Sequence, residues 1–278
     1  MTLNRWAQTP KGFVSMLLIT NLLVSCLWGS DWDGMIQTIV AVGSTVALDV
    51  LISFMKKKKH LKPDGALITG LLISLVLSVT TPWPIVVATS LLAIVSKHVL
   101  VVQKRPIFNP AVLGLGLSVM IFHSEQSWWG AFGDLPASSI PLLLIAGLYI
   151  TGRINKFPQV LSFLGISFLC LLIASIFHIE AVYDAFRPPF INATLFFGFF
   201  MLTDLPTSPT KYSDQTVFGM LTAVIGVLDY VFFGGLVYLF LGLIFGNLFQ
   251  AYRTWRRAGV RRDQKKSSMY PDRRGMTL

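Results

Sequence analysis

Charge is what this sequence has little of. Only 13% of its 278 residues are Asp, Glu, Lys or Arg, against roughly 25% in an average soluble domain. An ordinary soluble globular chain is therefore excluded. Cysteine is almost as scarce: Cys26 and Cys170 both lie inside apolar runs and have no spaced partners. That pattern argues against a disulfide framework and against zinc or iron–sulfur ligation, leaving two small buried residues as the default reading. A polar stretch long enough for a separate soluble domain is also missing. No small-residue cleavage pattern comes after the apolar run 12–28, so that run reads as a retained first span and not as a secretory signal.

What is present is apolar: 54% of residues are hydrophobic, and phenylalanine alone contributes 21. A hydrocarbon core of roughly 30 Å needs about 20 helical residues, fewer where a helix is broken or re-entrant. On that scale the chain divides into segments 12–28, 35–55, 65–80, 83–101, 109–122, 137–152, 158–178, 188–204, 215–232 and 234–252. Turn-forming stretches such as GSDWDG, TTPWP, RINKFP and DLPTSPTKYSD separate them. The expected fold is all-α: a polytopic integral membrane protein of ten transmembrane or half-membrane helices. Residues 1–252 form a single membrane domain, followed by a basic cytoplasmic tail, 253–278.

Lys and Arg resist translocation, whereas acids matter little. With a cytoplasmic N-terminus, every basic residue except Arg187 falls on the inside, while Asp31, Asp33, Glu125, Asp134, Glu180 and Asp184 fall outside. Both termini are therefore expected on the cytoplasmic side of the cell inner membrane. The tail RTWRRAGVRRDQKK then reads as a juxtamembrane anchor to anionic lipid, and nucleic acid is not an expected partner.

Ten segments split into five and five, and an odd number per half sends the second half through the membrane upside down. The expected repeats are 12–122 and 137–252, an inverted plan that places binding sites at the interface of the halves. The third segment ends LVLSVTTPWP and the eighth ends FFMLTDLPTSP. Each is a short helix running into hydroxyls and two prolines, and paired breaks of this kind point to a buried site. Two readings stay open here. Either the prolines merely end hairpins, or Thr80 and Thr81 line a central site from one face with Thr203 and Asp204 from the other. Asn109 before Pro110 is a candidate N-cap, as is Asp64 before GALITG, and both helix starts would offer a positive dipole end to an anion or a flavin carbonyl. Asp49 lies deep inside the second segment, where an ionisable group defaults to a functional role, so it is the candidate ion-coupling carboxylate. Lys97 and His98 sit near the end of the fourth segment, where snorkelling explains them.

Residues 64–116, DGALITGLLISL through IFNPAVLGLG, resemble part of a membrane family. That family contains the D subunit of the Rnf electron-transport complex and the B subunit of the sodium-translocating NADH:quinone reductase. FFMLTDLPTSPT is similar to its F(M/I)ATDPxSxP segment, and LLLIAGLYITGRINKFPQVLSFLG is similar to one of its helix pairs. The resemblance covers most of 35–235. It implies a membrane subunit that passes electrons through flavin, FMN or riboflavin, and couples them to Na⁺ or H⁺ movement in company with other membrane subunits. It also implies a threonine carrying FMN in the loop after the fifth helix. The corresponding loop here, HSEQSWWGAFGDLPASS, has no such motif, so no covalent acceptor is expected and any flavin would be non-covalent. The alternative is a flavin-free permease for an ion or small solute on the same fold. Cofactor-binding candidates are Thr80, Thr81, Asn109, Thr203 and Asp204, and ion-coupling candidates are Asp49 and Asp204.

Overall fold

The computed structural model describes residues 3–29, 32–57, 63–133 and 139–269. Residues 58–62 with three of the lysines there, Asp31, Asp134 and the end of the tail at 270–278 lie outside the described residues. Regular structure among the described residues is helical except for one two-residue hairpin. A short α1 (Leu3–Ala7) precedes α2 (Pro10–Gly29), α3 (Trp32–Met55), α4 (Asp64–Val76) and α5 (Trp83–Val99). The hairpin β1–β2 (Val101–Val102 and Arg105–Pro106) leads into α6 (Pro110–Phe122). The second half contains α7 (Ile140–Arg153), α8 (Phe157–Ile176), α9 (Phe190–Phe196), α10 (Tyr212–Phe233) and α11 (Tyr238–Met269). Helices α2 to α11 correspond to the ten expected segments, and the molecule is a polytopic membrane protein.

Among the described residues four helices, α2, α3, α8 and α10, are long and apolar enough to cross a membrane by length and composition. Others are too short to do so alone. The 13 residues of α4 reach about 20 Å at 1.5 Å per residue, well under a hydrocarbon core of roughly 30 Å. Helix α9 is shorter still and loosens into a π turn, Phe197–Met201, before it stops. Helices α5, α6 and α7 are also short, while α4 and α9 are the two whose ends the sequence marks with paired prolines.

Differences from expectation have local causes. Helix α4 stops at Val76, four residues early, because Leu77 turns extended and bridges Gln126 of the 123–133 loop. Asp64 is not an N-cap: the helix begins on Asp64 itself, and its Oδ1 accepts the indole N–H of Trp6 at 2.8 Å. Helix α11 runs unbroken across residue 252 to Met269, so the tail starts as a continuation of the last helix. Helices α10 and α11 are divided at Gly234 and Gly235, whose φ of 69° and 70° lie where only glycine sits without strain.

The loops form two faces. One carries Lys11, Lys97, the hairpin, Lys156 and the start of the tail; the other carries Gly29, the 123–133 loop and the Gly234 turn. At the first, basic face Asp214 takes Arg253 and Arg257 at 2.7 Å each, which pins the first turn of the tail to α10.

Close helix crossings rest on glycine, as in membrane bundles generally. A Cβ on Gly219 of α10 would collide with the Gln159 carbonyl and the Ser162 side chain of α8, whereas one on Gly165 of α8 would meet nothing within 4 Å. Gly219→Leu is therefore expected to destabilise the protein by about 1–3 kcal/mol, while Gly165→Leu is near neutral. Thermal unfolding in detergent compares the two.

Candidate functional site

The π turn that ends α9 leaves carbonyls without their regular partners, and such groups persist at membrane depth only where protein or water satisfies them. Leu202 N–H reaches back five residues to Phe197 O at 2.9 Å, and the Thr203 hydroxyl donates to Phe199 O at 2.7 Å. Two side chains from elsewhere complete the set. The Asn109 amide donates to Met201 O at 2.8 Å, and the Gln159 amide of α8 donates to Leu202 O at 2.6 Å. Asn109 also caps α6 as its sequence context indicates, accepting from Ala111 N and Val112 N at 3.0 and 3.3 Å. Its own N–H donates to Asn247 Oδ1 of α11 at 2.9 Å.

Beyond the π turn the chain folds around Asp204. The Asp204 carbonyl accepts from Thr207 N and Ser208 N at 3.3 and 3.0 Å, and its Oδ2 accepts from the Thr207 hydroxyl at 2.8 Å. Among the described residues its carboxylate makes no ion pair, but the ammonium groups of Lys11, Lys97 and Lys156 all act on it through space. Lys156 is 3% exposed and donates to the Pro209 carbonyl. Burial pushes its ammonium down to about 8, with the Asp204 charge opposing the shift.

These elements enclose a cavity of about 70 Å³ near the basic face, walled by the first turns of α4 and α6, the end of α9, and the side chains of Lys11 and Lys97. Thr69, Asn109, Thr203 and Asp204 are its polar lining. Two helix starts contribute positive dipole ends, two lysines add charge, and Asp204 is the carboxylate that answers them. A water needs roughly 10–15 Å³ of such space, so the cavity holds a handful of waters or a partly dehydrated ion.

Asp49 stands behind the wall. Lys97 Nζ and His98 Nε2 both contact its Oδ1, at 2.9 and 2.7 Å, so Lys97 and His98 do not simply snorkel. Asp49 is therefore linked to the cavity through Lys97. Thr80 and Thr81 lie at the opposite face and do not meet Thr203 or Asp204: Thr80 is exposed, with its hydroxyl 2.7 Å from Ser78 Oγ. The break after α4 is closed by the 123–133 loop instead. Ser127 N and Trp128 N both donate to Val76 O at 3.1 Å, Ser78 N donates to Glu125 O at 3.1 Å, and the Trp129 indole donates to Ser74 O at 2.7 Å. Trp128 is fully buried and stacks on Phe240 at 5.6 Å.

Sequence reasoning missed Lys11, Lys156, Gln159 and Asn247 as site residues. Gln159 and Asn247 had a readable signal, an isolated amide within an apolar span. Lys11 and Lys156 had none, being ordinary loop lysines until the fold brings them to Asp204.

Removing one partner of a buried ion pair costs about 3–5 kcal/mol because the other is left uncompensated. Asp49→Leu is expected to lose stability on that scale. Adding Lys97→Met is expected to recover part of the loss, and thermal unfolding of single and double variants reads the coupling.

Comparison with known proteins bears on the first half. Residues 7–142, just under half of the chain, match the NQR2, RnfD, RnfE family. The D subunit of the ion-translocating oxidoreductase complex of Citrobacter koseri is 28% identical over 152 residues, 52% of this chain and 43% of that protein. Its counterpart of the same name from Aliivibrio salmonicida is 26% identical over 137 residues, 48% of this chain and 37% of that protein. The chain thus covers less than half the length of these curated relatives. The TDLPTSP segment lies beyond the residues that match the family. Over residues 7–142 this chain is similar to the NQR2, RnfD, RnfE family.

Proposed function

We propose that the chain is a membrane subunit of an ion-translocating electron-transport complex, and that the cavity at Asp204 is the inner part of its Na⁺ or H⁺ path. The observation that carries this reading is the meeting of one broken helix and two helix starts on a largely apolar cavity whose polar groups include the Asp204 carboxylate. The relatives, each named as the D subunit of an ion-translocating oxidoreductase complex, supply the redox context. The basic face is the cytoplasmic side of the inner membrane, because Lys and Arg collect there. Support for the inverted repeat comes from packing: α3 on α5, α5 on α6 and α2 on α4 in one half match α8 on α10, α10 on α11 and α7 on α9 in the other. At the membrane surface, the exposed Tyr252 and Trp255 lie beside Arg253, Arg256 and Arg257, a set suited to an anionic lipid interface.

In this mechanism a cation or proton arriving at Asp204 competes with the ammonium groups that face it. Lys97 stays on Asp49, which holds its charge while the site is filled. This chain serves as scaffold and ion path, with flavin and iron–sulfur centres in partner subunits, since its 123–136 loop has no covalent FMN acceptor motif. The second reading, a flavin-free permease, is favoured by that missing motif. Ion flux into proteoliposomes separates them. Flux by the chain alone down an ion gradient supports the permease, and flux only in the assembled complex with an electron donor supports the redox reading. In either case Asp204→Asn is expected to lower flux at least tenfold and Asp49→Asn to lower it less, and unchanged flux in both would overturn the path. The purified chain is expected to show no flavin absorbance, and a yellow protein would overturn the placing of flavin in partner subunits.

A further inference from the structure

The three ammonium groups that act on Asp204 are held differently. Lys97 rests on Asp49 at 2.9 Å, so its charge is answered whatever happens at Asp204. Lys11 is partly exposed, and water shares its charge. Lys156 is buried and makes no ion pair among the described residues; the carboxylate that acts on it is Asp204. Arg153 and Lys211, on the adjoining turns, are exposed.

The fold holds Lys156 in that place. Its backbone N–H donates to Thr151 O at 3.0 Å after the left-handed residue Asn155, φ 55°, and its ammonium donates to the carbonyl of Pro209 in the turn that follows Asp204. Gln215 of α10 ties the two turns together, donating its amide to Asn155 O and Thr210 O at 3.2 Å each. A neutral amine still carries N–H donors, so the bond to Pro209 O survives loss of a proton. Asn155 and Thr210, the chain neighbours of Lys156 and Pro209, are exposed at the basic face, which brings water close to a released proton.

Burial holds this ammonium down at about 8, and the Asp204 charge is the influence that opposes burial. A cation seated on Asp204 cancels that influence. Desolvation is then unopposed, and a buried lysine in that position gives up its proton.

We propose that Na⁺ binding at Asp204 makes Lys156 release a proton, so that the site exchanges one Na⁺ for one H⁺. The step balances. Na⁺ settles on the carboxylate, an N–H bond of Lys156 breaks, the electron pair stays on nitrogen as a neutral amine, and the proton leaves to water at the basic face. One positive charge faces Asp204 before and after, so neither state leaves a buried ion uncompensated. The inference rests on the reading of Asp204 as an ion site and adds the exchange to it.

Calorimetric titration of the full chain in detergent with sodium chloride, against choline chloride at equal ionic strength, counts the protons. At about pH 7, in two buffers of different ionisation enthalpy, most of one proton is expected to leave for each Na⁺ bound. Below about 8 the free site holds the proton that Na⁺ must displace, so affinity is expected to rise about tenfold per pH unit through the neutral range and to level off above that point. Lys156→Gln keeps a donor for Pro209 O and loses the charge. It is expected to release no proton, to bind Na⁺ about tenfold more tightly near pH 7 and to show a flat profile. Protonation of Asp204 would also link Na⁺ to pH, but that dependence persists in Lys156→Gln, and its persistence overturns the role of Lys156. Na⁺ binding that is lost in Asp204→Asn yet releases no proton in the unmodified chain overturns the exchange and leaves the ion site standing. No Na⁺-dependent heat in either buffer overturns both. The proton count in the unmodified chain decides the question even where a variant fails to fold.

Discussion

A helix that stops inside a membrane leaves backbone groups that lipid cannot satisfy, and the rest of this structure is arranged around that constraint. Asn109 meets most of it at the basic face. Its side-chain oxygen caps α6, its amide closes the Met201 carbonyl at the end of α9, and its backbone N–H takes Asn247 of α11. One residue thus fixes three helices relative to one another, across the two halves of the chain. Gln159 performs the same service for Leu202 from α8. The cavity exists because these bonds hold the broken end of α9 open toward the starts of α4 and α6.

Charge near the membrane follows a consistent pattern. Asp49 is held by Lys97 and His98, and Asp214 by Arg253 and Arg257. Asp204 differs: among the described residues it has a hydroxyl partner, Thr207, and distant ammonium groups. A carboxylate with its counter-charges at a distance keeps room for something else to approach. The same geometry makes Lys97 a shared resource, in contact with Asp49 and lining the cavity at once.

The broken helices, the ten-segment count and the Asn109 cap were legible because each is local: prolines, hydroxyls and apolar run lengths write them directly into the chain. The divisions at TTPWP and DLPTSP, and the glycine turn before α11, were readable for the same reason. The partners were not. Nothing near Lys11 or Lys156 in sequence indicates that they face Asp204. Asp64 looked like a cap because an apolar helical run begins directly after it, whereas a tryptophan 58 positions away claims its carboxylate. Thr80 and Thr81 lie at the opposite face, as their place in the sequence indicates, but they do not line the cavity at Thr203 and Asp204. Their break is filled by a loop whose inward fold depends on Trp128 finding Phe240, a pairing between residues far apart in the chain.

That inward loop gives the molecule a direction. Its backbone closes the carbonyls after α4, Trp129 seats its indole on Ser74, and Asn192 at the head of α9 holds the loop by the carbonyls of Ala131 and Phe132. The chamber at Asp204 therefore has a door on one side and masonry on the other. Each bond in that masonry contributes only about 0.5–1.5 kcal/mol net, but the bonds break together because one rigid loop carries them. The Trp128 loop is therefore expected to keep its seat or to leave it as one unit.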